Sequence, residues 1–137
     1  MATEKFPGRF ESLAGIRKFV SAAAEDAGFD DKEIYAVELA VDEACSNIIE
    51  HAYGGEGKGE IICTCNDISN GLEIVLKDNG VKFNPAEVAP PDFSIELEKL
   101  KPRGAGLYLI HQMMDDVAFK FSSESGNELR MVKRKVN

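Results

Sequence analysis

The sequence predicts an α+β fold in which a largely antiparallel sheet is covered on one face by helices. Three observations lead there. Apolar residues recur at helical spacing through two stretches in the first half, around Ile16 and around Val41. Two later pairs of apolar segments are each joined by a tight-turn signal, Asn70-Gly71 and Ser125-Gly126-Asn127. Helical and extended segments come in groups and do not alternate strictly, which argues against a parallel α/β sheet. A chain of 137 residues suits a single domain with one core.

Residues 1–8 are expected to form a short strand or an arm. Residues 11–27 carry the stripe Leu13, Ile16, Phe19, Val20 and Ala23, and Gly28 is placed to end that helix. Asp30 or Asp31 can cap the next helix, expected over residues 32–52. Its stripe is Ile34, Val37, Val41, Ala44 with Cys45, Ile48 and Ala52. The glycine-rich run Gly54 to Gly59 is a loop. Strands are expected at 60–66 and 72–78, then at 117–123 and 129–135. Between these hairpins, residues 81–103 hold Pro85, Pro90, Pro91 and Pro102 among many charges. They read as a long lid-like loop with at most one short helix near 94–100. A further helix is expected from Leu107 to about Met114.

Composition narrows the function. The formal net charge of −8 disfavours a nucleic-acid surface and suits a basic protein partner. No apolar run is long enough to cross a membrane and no leader pattern is visible, so a soluble cytoplasmic protein is expected. Three cysteines lack zinc-type spacing. Cys45 lies on the apolar stripe, and Cys63 and Cys65 share one strand face, which suits packing better than metal or redox work.

Three blocks carry the chemistry. Glu43, Asn47 and His51 are spaced by four, so they form a row along one flank of the second helix. Ala36 and Ala40 before them are expected to leave room beside that flank. An amide oxygen is a hard ligand suited to Mg²⁺, and a carboxylate one turn away can orient or deprotonate a nucleophile near a phosphate. A solvated polar face is the plain alternative. Asp78-Asn79-Gly80 ends a strand and offers an acceptor for the exocyclic amine of adenine, with Gly80 letting the base approach the backbone; a simple turn is its alternative. Gly104-Ala105-Gly106 opens a helix, where unpaired N–H groups attract phosphate; an ordinary loop-to-helix turn is its alternative.

Together these blocks resemble those of the GHKL (Bergerat-fold) ATPases, and most closely those of the bacterial anti-sigma-factor serine kinases. The resemblance spans nearly the whole chain. Residues 41–53, Val-Asp-Glu-Ala-Cys-Ser-Asn-Ile-Ile-Glu-His-Ala-Tyr, look like the family's N box. Asp78 to Phe83 look like the first glycine box and Gly104 to Leu107 like the second, while Gly126 to Met131 fit the closing strand. Lys82 stands where broader patterns have a second glycine. Arg103 stands one residue nearer the glycine pair than the phosphate-contacting arginine of some members.

The resemblance implies a two-layer α/β sandwich of the histidine-kinase-like ATPase type, with a largely antiparallel mixed sheet. It implies one domain over residues 1–137 with an ATP lid at about 81–103. It implies ATP and Mg²⁺ as cofactors, Glu43 as general base and Asn47 as the Mg²⁺ ligand. Asp78 would take the adenine amine with Gly80 beneath the base. Gly104, Gly106 and Leu107 would hold phosphates, and Arg103 would steady the γ-phosphate. The implied activity is serine phosphorylation of a STAS-type anti-anti-sigma factor, together with binding and inhibition of a sigma factor. A homodimer is implied by the family alone. A nucleotide-gated binding module, and a switch kinase outside sigma-factor control, are the alternatives.

Overall fold

The computed structural model describes residues 1–83 and 110–135. Five strands form one sheet in the order β1-β2-β3-β5-β4, where β1 is Ala2–Pro7, β2 Glu60–Ile68, β3 Gly71–Asp78, β4 Asp116–Ser122 and β5 Gly126–Arg134. All four pairings are antiparallel, so no parallel pair occurs among the described residues. The two expected hairpins are present. Asn70 takes a left-handed conformation, φ 59°, in the β2–β3 turn, as its amide side chain tolerates. The N-terminal segment is an edge strand on β2, with Ala2 opposite Cys65.

Two helices lie on one face of the sheet. α1, Leu13–Asp26, follows a short 3₁₀ turn and buries Ile16, Val20 and Ala24. It ends at Gly28, whose φ of 89° only glycine adopts without strain. α2, Asp31–Asn47, is started by Asp30. The Asp30 carboxylate accepts from the Glu33 backbone N–H at 2.8 Å, and the Asp30 N–H donates back to the Glu33 carboxylate at 2.9 Å. Such a reciprocal cap stabilises a helix by about 1 kcal/mol.

The core lies between these helices and the inner face of the sheet. Every expected stripe position of the second helix is buried, including Ile48 and Ala52 beyond the end of α2. From the sheet come Ile61, Cys63 and Cys65 of β2, Leu72, Ile74 and Leu76 of β3, and Leu129 and Met131 of β5. Strand alternation sends these inward while Ile62, Thr64, Val75 and Arg130 line the opposite face. Each fully buried Ile or Leu contributes about 2 kcal/mol of transfer energy. All three cysteines are free and buried, which agrees with the packing reading. Residues 110–113 are helical, with Ile110 and Met114 buried, in keeping with the C-terminal part of the helix expected at 107–114.

One expectation about the second helix is corrected. Ala40 does not leave open room beside the flank: that residue is fully buried in the core. The α-helical pattern also stops at Asn47, and Ile48–Ala52 form a single π turn in which the Tyr53 N–H donates to the Ile48 carbonyl at 3.0 Å. Such a widened turn inside a helix is uncommon and often lies at a functional site.

Candidate functional site

Inward alternation continues to the end of β3 and the start of β5, but there it delivers polar side chains. Asp78 and Asn127 are direct cross-strand partners at that end of the sheet. Asn47 arrives from the last residue of α2. These three, only 4–5 % exposed, are the buried polar residues among those described, and all three line one narrow pocket. The other described residues that line it are apolar: Ala44, Ile48, Phe83, Ile110, Phe119 and Leu129. Apolar walls with a few convergent polar groups suit a flat, partly polar ligand.

Among the described residues, Asp78 is held through one carboxylate oxygen only. Its Oδ1 accepts from the Asn127 amide at 2.8 Å and from the Gly80 backbone N–H at 2.9 Å. Burial pushes its carboxyl above the ordinary aspartate range, and those two hydrogen bonds act in the opposite direction. Asn127 also donates to the Val81 carbonyl at 2.8 Å and accepts from the Phe83 N–H at 3.0 Å. By contrast, the Asn47 side-chain amide makes no hydrogen bond among the described residues. A buried residue whose amide lines a pocket with no partner among the described residues suits a ligand to a hard cation.

Glu43 lies one helical turn before Asn47 and does not line the narrow pocket. It is half-buried, and its pKa is raised, first by burial and then by the neighbouring charges of Asp42 and Glu50. Asp42 itself pairs with Arg17 of α1 at 2.5 Å, which ties the two helices together beside the site. His51, expected to continue the row, lies within the π turn, where its ring stacks on Phe83 with centroids 4.8 Å apart.

Gly80 has a structural reason to be glycine that differs from the expected one. A Cβ there would stand 2.4 Å from the Ala52 carbonyl oxygen, so the close neighbour is the end of the π turn. The same carbonyl accepts from the Val81 N–H at 2.8 Å. Tyr53 adds a third tie: its hydroxyl donates to the Glu60 carbonyl at 2.6 Å and accepts from the Asn79 N–H at 3.0 Å. Residues 81–83, read from sequence as the start of the lid, are therefore fastened to the π turn on one side and to Asn127 on the other. The rest of that expected lid, with Arg103, Gly104, Gly106 and Leu107, lies outside the described residues.

Asn47 and Asp78 are thus brought together, with Glu43 on the adjoining turn. Asn127, Tyr53 and Phe83 were not singled out as site residues from sequence. A signal for Asn127 existed: strand interiors disfavour asparagine, and here it occupies the inward register of Leu129 and Met131.

Residues 6–133 match the model of the histidine kinase-like ATPase domain. The chain is 40 % identical over 117 residues to "Serine-protein kinase RsbW" of Bacillus cereus (strain AH820), covering 82 % of this chain and 72 % of that protein. The proteins of the same name from Bacillus anthracis (strain A0248) and Bacillus thuringiensis (strain Al Hakam) match to the same extent.

Proposed function

Because this chain belongs to the family of histidine kinase-like ATPase domains, we propose that it is an ATP-dependent serine-protein kinase acting on a small regulatory protein. The observation that carries the nucleotide part is the convergence of Asn47, Asp78 and Asn127 on one otherwise apolar pocket. Likeness to serine-protein kinases supports the transfer part.

In this reading the whole chain, 1–137, is one domain. Asp78 accepts the adenine amine through the carboxylate oxygen that Asn127 and Gly80 leave free. The apolar walls sandwich the base and exclude water from it. Asn47 presents its amide oxygen to Mg²⁺, which when bound would neutralise phosphate charge. Glu43, with a pKa raised by burial, is a better proton acceptor at neutral pH than an ordinary glutamate. It takes the proton of the substrate serine as that oxygen attacks the γ-phosphorus of ATP, whose bond to the β–γ bridging oxygen breaks so that ADP leaves. Gly104, Gly106, Leu107 and Arg103 are assigned to the phosphates on their sequence pattern, with Gly80 at the edge of the base.

The proposed substrate is a STAS-type anti-anti-sigma factor, and a sigma factor is the proposed second partner, in a cytoplasmic switch that contacts neither nucleic acid nor membrane directly. A homodimer is the proposed assembly. The net charge of −8 suits basic docking faces on both partners. A half-buried Glu43 one turn from the pocket-lining Asn47 favours transfer over a pure nucleotide-gated binder. Incubation with Mg-ATP and a STAS partner, followed by mass spectrometry of that partner, tests this. One phosphoserine is expected with the wild type. Glu43→Ala is expected to retain ATP binding and lose transfer by a factor of about 100 or more, and Asn47→Ala to lose Mg²⁺-dependent binding with it. Transfer at the normal rate by Glu43→Ala would show that the base is misassigned.

A further inference from the structure

Asn127 spends its whole side-chain amide on three groups that belong to two different parts of the pocket. Its two N–H bonds go to Asp78 Oδ1 and the Val81 carbonyl, both at 2.8 Å. Its Oδ1 receives the Phe83 N–H at 3.0 Å. Only one orientation of the amide satisfies all three, since a flip would set donor against donor at Phe83 and acceptor against acceptor at Val81 and Asp78. The amide is therefore fixed, and it fixes its neighbours. Asp78 Oδ1 is saturated by Asn127 and Gly80, so rotation of the carboxylate would break two hydrogen bonds at once. The backbone of residues 81–83 is held so that the Phe83 ring forms a wall of the same pocket.

From this we infer that Asn127 is the positioning residue for base selection: it locks Asp78 with a single acceptor oxygen facing the pocket and sets the Phe83 wall against which the base lies. The inference rests on the reading of this pocket as an adenine-nucleotide site. A locked acceptor suits a purine carrying an amine at C6. A purine carrying a C6 carbonyl would bring acceptor against acceptor, and nothing in the fixed amide can rotate to relieve it.

Equilibrium binding of ADP and of inosine diphosphate, its 6-oxo counterpart, tests this without any protein partner. The wild type is expected to prefer ADP. Asn127→Ala frees the Asp78 carboxylate to rotate, so ADP affinity falls about tenfold, as for a lost hydrogen bond to a charged group. The inosine nucleotide never used that acceptor and shares only the loss of the Phe83 wall, so it changes less and the preference collapses. Asn127→Ser keeps a hydroxyl donor near Asp78 but cannot also hold Val81 and Phe83, and is expected to restore part of the preference. If Asn127→Ala does not fold, the serine variant is decisive by itself: a preference between the wild-type value and none supports the inference, and an unchanged preference overturns it. Equal losses for both nucleotides in either variant would reduce Asn127 to a structural residue and overturn the inference while leaving the adenine site standing. A wild type that binds neither nucleotide would overturn the site reading, and this inference with it.

Discussion

Asp78 carries its charge in a buried place where, among the described residues, hydrogen bonds and no cation receive it. Its folded pKa lies above the unfolded one because burial outweighs the Asn127 and Gly80 donors. The native state therefore binds its proton more tightly than the unfolded chain. The stabilising share is fully present below the ordinary aspartate range and is lost as pH rises through the folded value. At neutral pH the ionised group costs stability, and in the proposed reading it is this ionised group that receives the adenine amine. Asp78→Asn keeps an oxygen for the same two donors and removes the charge. It is expected to melt at or above the wild type at neutral pH, with the difference closing in acid below about pH 4. Adenine nucleotide should no longer raise its melting temperature, because the new amide points N–H bonds at the base amine. Melting curves across pH, with and without ADP, report both effects. A variant that melts several degrees below the wild type at neutral pH, with the gap closing in acid where the wild-type carboxyl is protonated, would mean that the charge itself stabilises the fold.

At the scale of elements, the end of α2 and the end of β3 meet through backbone. The Ala52 carbonyl accepts from Val81 and leaves no space for a side chain at Gly80. Gly80→Ala is expected to destabilise by about 2 kcal/mol, as overpacking of a tight contact does. Gly15→Ala provides the contrast. Its added Cβ would meet only the Phe6 ring at 3.4 Å, in the interior of α1. Helix propensity then predicts a gain of up to about 1 kcal/mol. Chemical denaturation of the two variants checks the pair, and a neutral Gly80→Ala would mean that the π turn shifts freely. The sequence made α2, its cap and its buried stripe legible, because helical periodicity and capping are local. It could not distinguish a π turn from a last α turn, since Ile48, Ile49 and Ala52 suit either. For the same reason it offered Gly80 to a ligand when the nearer neighbour is the protein's own carbonyl. Asn47 and Asp78 were legible as residue types in suggestive places. What joined them, Asn127, read as a turn residue because its partner strand was unknown.

Across the whole molecule, the sheet is two local hairpins joined along β3 and β5, with β1 laid on the outer edge of β2. The hairpins could be read from their turns, whereas the join and the edge could not, because both pair residues far apart in sequence. Thr3 and Thr64, whose hydroxyls meet at 3.0 Å, are separated by 61 residues, and Asp78 and Asn127 by 49. That distance bears on the order in which the chain acquires its parts. Hairpins close quickly, while a join that needs a long loop to close is slower. Asp78 comes from one hairpin and Asn127 from the other, so the pocket does not exist until the seam between them has formed. A ligand that needs both can recognise only the finished molecule. Saturating ADP is therefore expected to leave the refolding rate unchanged and to slow unfolding, which stopped-flow kinetics can measure. Faster refolding with ADP would place the seam among the early events. Under the expected outcome the nucleotide sets how long each folded molecule lasts and has no part in how soon it appears.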